Sequence, residues 1–535
     1  MKQASDLTIE EAVGHLLCPI LSGFSADEIR RLQERDRYGS VFFNRQTFAE
    51  WRETVEAVQS AAPWPVLVSA DLEFGARSIT DKAVQFPWLM GAAAADDDDA
   101  VYAAGLATGI EGRHAGVHWT FAPVVDINYN FRAPETNIRS FGDDPERVAR
   151  LASRFIRGVQ EQNRVAATAK HFPGTGMDER DQHLVTAINP LSVDAWMKTY
   201  GMVWRRVIET GVLSIMSGHI AFPDYEGHRE NLEAALPATI SSRLQIDLLR
   251  KELGFEGVLV SDAAPMVGIA SRCTQDEAVV RFIEAGGDVF LFARPERDYD
   301  LLMEAVRSGR LSEERVRESA ARVIALKERL GIEEDVYGPA PDESAVASFR
   351  EASRTIAERS VTVQRDNGLV GRKPQAGAKV LTVTLDYEGH KFLPEELDAF
   401  DAALRERGYQ VEHLRNPGHN ALIDRAPEFE TIFVNIHLTP HMLLGHTRLY
   451  APLAMHFWRG FYVDLPDVRF TSFGSPYLLY DQPHLPNMLV GYGGAESVQR
   501  AAVAIWLGEI TARGKSPVRL PRTVIHDSVP NFAEV

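Results

Sequence analysis

Along the first two thirds of the chain, short runs of β-branched and aromatic residues alternate with stretches whose apolar positions recur every three or four residues. The runs are "HLLCPIL", "YGSVFF", "PVLVSAD", "VHWTFAPVVDI", "VAATAKHF", "VLSIMSGHI", "FEGVLVSDA" and "GDVFLFA", each followed by an amphipathic segment such as "SADEIRRLQERD" or "FAEWRETVEAVQSAA". Eight strand and helix units between residue 14 and about residue 335 predict a parallel sheet. They fit a (β/α)8 TIM-type barrel better than an open doubly wound sheet. One more helix is expected over "SEERVRESAARVIALKERLG", where Val316, Ala320, Val323 and Leu326 keep helical spacing and pack it outside the barrel.

"EEDVYGPAPDES" contains Gly338, Pro339 and Pro341 and reads as a linker. A second α/β pattern begins near residue 377 with "AKVLTVTL" and runs through "PEELDAFDAALRERG", "YQVEHL", "TIFVNIHL" and "DVRFTSFG" to "ESVQRAAVAIWLGEI". The expected organisation is α/β throughout: a catalytic barrel over 1–335, a linker with a helix over 336–376, and a smaller C-terminal α/β sandwich domain over 377–535. The low-complexity run "AAAADDDDA" reads as a solvated helix N-terminus, where negative charge is favoured.

Composition narrows the partners. A chain of 535 residues with 45% hydrophobic and 25% charged residues buries a large core, and its formal net charge of −18 argues against nucleic acid or an anionic membrane as a general partner. "MKQASDLTIEEAVGHLL" has no apolar core of a signal sequence, and no run approaches the ~20 apolar residues of a membrane span, so a cytoplasmic location is expected. Cys18 and Cys273 are the only cysteines, too few for a disulfide framework or a cysteine zinc site. No "HxxxH", "HxxE" or "HExxH" falls near the strand ends, so neither metal nor any other cofactor is expected. Oligomeric state is not legible.

In a barrel of this kind chemistry sits at the carboxyl ends of the strands. The polar residues that end apolar runs are Asn44, Asp71, Asp126, Lys170 with His171, His219 and Asp262. Asp262 closes the unbroken run "GFEGVLVSD", which holds its carboxylate at the rim over a rigid backbone as nucleophile, general base or metal ligand. "KHFPGTGMDERDQH" supplies a proton carrier. Pro173, Gly174 and Gly176 forbid a helix there, so a mobile loop whose order depends on ligand is expected. In an extended segment residues two apart point the same way, so Asp181 can hold the imidazole of His183. A carboxylate partner favours the protonated ring, making the pair an acid/base dyad.

These stretches resemble glycoside hydrolase family 3, specifically its bacterial β-N-acetylglucosaminidase branch. "KHFPGTGMDERDQH" is similar to the family's "KHFPGHG" followed by "DxH", "ELGFEGVLVSDAAPMVGI" to its nucleophile strand, and "NIRSFGDDPERVARLASRFIRGVQ" to its "RSFGxDP" segment. "SADLEFG", "FPWLMGAAAA", "FAPVVDIN" and "IMSGHIAFP" match in order, and "FGSPYLL" through "GEITARGKSPVRLP" resembles the end of the family's C-terminal sandwich. The resemblance implies Asp262 as nucleophile and His183, supported by Asp181, as acid/base. It implies Asp71, Arg139, Lys170 and His171 as ligands of sugar hydroxyls, and Arg77 and His219 join them as expected substrate contacts. The chain departs from the family where Thr175 replaces a histidine, where Phe74 replaces a glycine, in Arg77 standing two positions early, and in "VTVQRDN" at 361–367.

The expected activity is that of a retaining exo-glycosidase that removes terminal β-linked N-acetylglucosamine from a carbohydrate substrate. A related β-glycosidase of other sugar preference and a phosphate-dependent phosphorylase are the nearest alternatives, since an imidazole donor tolerates an anionic acceptor better than a carboxylate does. A catalytically inactive sugar-binding protein is the alternative from another class.

Overall fold

The computed structural model describes residues 4–387, 396–440, 448–449, 451–458 and 460–520, and forms two compact units. One comprises Met1–Val84, Val101–Ala133 and Pro145–Phe349; the other comprises Gln85–Ala100, Pro134–Asp144 and Arg350–Val535.

The first unit is built on β1 (Leu17–Cys18), β2 (Ser40–Phe42), β3 (Leu67–Ala70), β4 (Trp119–Thr120), β5 (Ala166–Phe172), β6 (Ser214–Ser217), β7 (Val258–Ser261) and β8 (Phe290–Leu291). The six strands β2 to β7 form one parallel sheet in sequence order. Parallel bridges Val260 to Val289 and Ile20 to Phe42, together with the β1–β8 ladder, close the circle. All eight runs read from the sequence are therefore barrel strands. Their inward side chains meet in one core: Cys18, Phe42, Leu67, Trp119, Ala166, Met216, Val260 and Leu291, one from each strand, pack with Val323 and Leu326 of the helix Glu313–Arg329 and with Leu330, which caps it. The connecting helices begin where the sequence supplies capping boxes, Thr8 with Glu11, Ser25 with Glu28 and Thr47 with Glu50.

The second unit carries β9 (Thr362–Arg365), β10 (Lys379–Asp386), β11 (Gln410–Arg415), β12 (Thr431–His437), β13 (Val468–Ser472) and β14 (Met488–Val490). Their order is β9-β14-β13-β12-β10-β11, parallel except for β9 at one edge. Phe400 and Leu404 from one helix, Trp506 from another and Phe433 from the sheet centre share its core. β9 comes from "VTVQRDN", which the sequence pattern did not mark as a strand, and it pairs antiparallel with the short β14. The aspartate run behaves as expected: Asp97 accepts the backbone N–H groups of Asp99 and Ala100 at the start of the helix Asp98–Ala115. Cys18 is buried and Cys273 half-buried, both as free thiols.

Candidate active site

Asp262 follows β7 directly, and its own N–H donates to the carbonyl of Ser217 at 2.9 Å, extending the ladder with β6 by one residue. The Ala263 N–H donates to Asp262 Oδ1 at 2.8 Å, which fixes the carboxylate plane. Oδ2 is buried without a hydrogen-bond partner and lies 3.9 Å from His171 Nε2. Burial alone would favour the neutral acid, but His171, His219 and His183 outweigh it and hold the carboxyl below its ordinary range. Burial drives the pKa of His219 itself down. Asp262 is thus kept as an anion with one oxygen free.

His171 and Lys170 come from the end of β5. The Nδ1 of His171 sits 2.7 Å from Asp126 Oδ2, so Asp126 receives its proton and Nε2 is turned toward Asp262. Asp126 Oδ1 also accepts the Thr175 N–H at 2.9 Å. Only the backbone of Thr175 serves here, its carbonyl accepting the Tyr200 hydroxyl at 2.8 Å, so a histidine is not needed at that position for these bonds. Lys170 is buried and bridges Asp71, at 2.9 Å, and Glu73, at 2.8 Å. Asp71 leaves 44% of its side chain exposed, which gives the site an accessible acceptor over a buried cation.

His183 and Asp181 lie on the segment after β5. Asp181 Oδ1 accepts both the backbone N–H of His183, at 2.9 Å, and the proton of its Nδ1, at 2.7 Å. The transferable proton of His183 is therefore the one on Nε2. The segment was expected to be mobile, and it is instead tied down along its length. Trp196 and Trp204 both donate to the carbonyl of Pro173, and Asp178 accepts the Ile188 N–H at 2.7 Å. The amides of Val267 and Gly268, just past β7, donate to the carbonyls of His183 and Gln182 at 3.0 Å each. These bonds link the dyad to the loop that carries Asp262. A Cβ at Gly268 would stand 2.4 Å from the Gln182 carbonyl oxygen, and one at Gly174 (φ +117°) 2.2 Å from the Tyr200 ring, so neither glycine can be replaced without displacing the segment.

The structure therefore brings Asp71, Lys170, His171, Asp181, His183 and Asp262 to one end of the barrel, with Asp126 behind them. His219, also expected as a contact, is placed differently. His219 is fully buried, with Nε2 3.0 Å from the Ala263 carbonyl and Nδ1 2.7 Å from Thr239 Oγ1. Both ring nitrogens are in use, so it braces the turn beneath Asp262 rather than meeting a ligand. Arg77 Nη1 donates to the Asp81 carbonyl. Arg139 donates to the Glu135 carbonyl at 3.2 Å. Sequence reasoning missed Glu73 as a partner of Lys170, although its spacing of two from Asp71 in "DLE" was a usable signal. It also missed the two tryptophans, whose role depends on a carbonyl that no pattern reveals.

A barrel whose mouth holds an ionised carboxylate with a free oxygen, an oriented imidazole and a set of hydroxyl-matching charges has the equipment of a glycoside hydrolase. The comparisons agree and specify the family. The model of the glycosyl hydrolase family 3 N-terminal domain matches residues 8–326, and the chain belongs to that family. A β-N-acetylglucosaminidase/β-glucosidase of Cellulomonas fimi is 33% identical, over 95% of this chain and 93% of that protein. A β-hexosaminidase of Stenotrophomonas maltophilia is 32% identical, over 52% of this chain and 84% of its own. Among solved structures, a family 3 β-N-acetylglucosaminidase from Paenibacillus sp. superimposes with TM-score 0.85 at 28% identity, covering 97% of this chain and 100% of that one. The β-glucoside phosphorylase BglX gives TM-score 0.85 at 29% identity, covering 98% and 96%. The chain is a glycoside hydrolase. No helix among the described residues is long and apolar enough to cross a membrane.

Proposed function

We propose that this enzyme is a retaining exo-β-N-acetylglucosaminidase that works through a glycosyl-enzyme on Asp262, with His183 as acid/base and Asp181 holding it. The observation that carries the reading is the unpartnered Oδ2 of an ionised Asp262 at a mouth shared with an imidazole whose Nδ1 is already committed to a carboxylate. In the first step Asp262 Oδ2 attacks C1, the C1–O bond breaks, and His183 Nε2 gives its proton to the departing oxygen. In the second step neutral His183 takes a proton from water as that oxygen attacks C1, and the Asp262 ester is released with net retention. Asp71, Lys170 and His171 hold the sugar hydroxyls, Lys170 as donor and Asp71 as acceptor. His171 stays aligned because Asp126 holds its far nitrogen. The names of the Cellulomonas fimi relative and the Paenibacillus neighbour support the acetylated sugar.

One test is turnover of 4-nitrophenyl β-N-acetylglucosaminide against the β-glucoside, with Asp262→Gly as the companion variant. The wild type is expected to prefer the acetylated substrate, and the variant to be inactive until azide is added, giving an α-glycosyl azide from an activated substrate. A β-azide product, or no rescue with residual hydrolysis intact, refutes the nucleophile.

A second reading, phosphorolysis, is supported by the similarity to a β-glucoside phosphorylase over nearly the whole chain. The same imidazole does not repel an approaching phosphate as a carboxylate base would. Turnover that rises with phosphate and yields the glycosyl phosphate would favour it.

A further inference from the structure

The mouth of the barrel is chemically divided. Strands β3 to β7 lead into Asp71, Asp126, Lys170, His171, His219 and Asp262, whereas β8 and β1 lead into Phe292 and Ile20. Both of these apolar side chains pack against the barrel's interior core, and both keep part of their surface exposed. A side chain of the barrel interior regains exposure only at an end of the barrel, and these two follow the carboxyl ends of their strands. Their exposed parts thus face the mouth.

Phe292 is held firmly in that position. Its N–H donates to the Cys18 carbonyl at 2.8 Å, and the Phe42 ring meets it edge-on with centroids 4.8 Å apart. Its φ is +59°, a left-handed conformation that phenylalanine rarely adopts and that surrounding structure must impose. The loop after Asp262 is joined to the same strand end, since the Ala264 N–H donates to the Leu291 carbonyl at 3.1 Å. Phe292 is therefore one strand away from the proposed nucleophile, on the side opposite to β6 and the buried His219.

We propose that Phe292, with Ile20 on the neighbouring strand, is the specificity residue for the substituent at C2 of the bound sugar and receives the methyl of an N-acetyl group. The inference rests on the proposed attack of Asp262 at C1. If C1 lies at Asp262 and the remaining hydroxyls turn toward Asp71, Lys170 and His171, C2 and its substituent fall toward β8. A hydroxyl gains nothing from a phenyl ring there, while a methyl leaves water against it.

The test is the ratio of kcat/KM for 4-nitrophenyl β-N-acetylglucosaminide to that for the β-glucoside, in wild type, Phe292→Asn and Phe292→Leu. Asparagine tolerates the left-handed backbone and removes the apolar contact; leucine keeps an apolar contact and controls for disorder at the strand end. One methyl in an apolar pocket is worth about tenfold or more in discrimination, and a half-open wall is expected at the low end. The ratio should fall about tenfold in Phe292→Asn and less than about threefold in Phe292→Leu. A ratio that holds within about twofold in Phe292→Asn, in an enzyme whose wild type prefers the acetylated sugar, overturns the role of Phe292 and leaves the proposed function standing. A wild type without that preference overturns the sugar assignment itself, and the inference with it.

Discussion

Lys327 sits fully buried in the helix Glu313–Arg329, and the His15 Nε2 at 3.3 Å is its one hydrogen-bond partner among the described residues. His15 donates from Nδ1 to the Glu11 carbonyl at 2.8 Å, and burial together with Lys327 pushes its own pKa well down, which keeps the ring neutral and leaves it no charge to balance the ammonium. Arg113 and His118 nearby supply no negative charge either. Burial lowers the Lys327 ammonium from 10.5 to about 7. That gap corresponds to about 5 kcal/mol against the charged form.

The sign follows from linkage. The folded protein releases the Lys327 proton near pH 7 while the unfolded chain keeps it until about 10.5, so stability rises with pH between the two values and is lost as pH falls toward 7. From pH 7 to 9 the gain is about 2 kcal/mol. Lys327→Met keeps the stem, removes the charge and leaves His15 Nε2 without its donor, at a cost of about 1 to 3 kcal/mol. The variant should therefore be more stable than wild type at pH 7, by about 2 kcal/mol, and should lose that advantage by pH 10. Urea unfolding of the barrel unit, resolved by hydrogen-exchange mass spectrometry, measures both differences. A stability difference that stays constant from pH 7 to pH 10 would refute the buried, discharging lysine.

Other predictions concern the site. Asp126→Asn presents an amide N–H to His171 Nδ1, inverts the tautomer, and is expected to lower kcat/KM about 100-fold with little change in melting temperature; an unaffected rate would remove Asp126 from the site. Gly268→Ala should displace the Gln182–His183 backbone and lower kcat more than it raises KM, whereas an equal effect on both would point to general damage. The amides of Val267 and Gly268 are expected to be protected from exchange without any sugar, because they are bonded to the dyad segment; rapid exchange that slows only on adding ligand would restore the mobile-loop expectation. Since the Asp262 carboxyl lies below its ordinary value of 3.8, the acid limb of kcat/KM should not show a carboxylate titrating at or above that value through loss of the nucleophile.

Much of this was legible because the barrel writes itself into the chain as repetition. Strands buried on both faces read as continuous apolar runs, and the first polar residue after each run falls at the mouth, which is why Asp71, Lys170, His171 and Asp262 could be named in advance. Asp181 and His183 were legible for another reason: the pair is local, two residues apart, and needs no tertiary information. His219 looked identical at this level, a polar residue after "VLSIMSG", yet Thr239 and the Ala263 carbonyl consume both its nitrogens. Position after a strand says that a side chain is near the mouth and nothing about whether its polar atoms are free. The anchoring of the segment after β5 was hidden for a similar reason, since glycine and proline reveal that a helix is impossible without revealing that Trp196, Trp204 and Tyr200 close over the backbone.

His171 and His183 make the point in its most useful form. Each imidazole donates a hydrogen bond from Nδ1 to a buried aspartate at 2.7 Å, so by local geometry they are twins. What separates their roles is the scaffold that each pair stands on. His171 belongs to β5, and its aspartate reaches it from the connection after β4, a pairing across strands that fixes Nε2 beside Asp262 Oδ2 and leaves the ring no freedom to follow a leaving group. His183 takes its aspartate from its own segment, and in the proposed mechanism the proton on Nε2 passes to the departing oxygen and a later one returns from water. A fixed imidazole next to the proposed nucleophile suits binding and charge stabilisation, and an imidazole oriented by a carboxylate suits the two successive proton transfers proposed for His183. The proposed division of labour between the two histidines rests on which carboxylate each one owns.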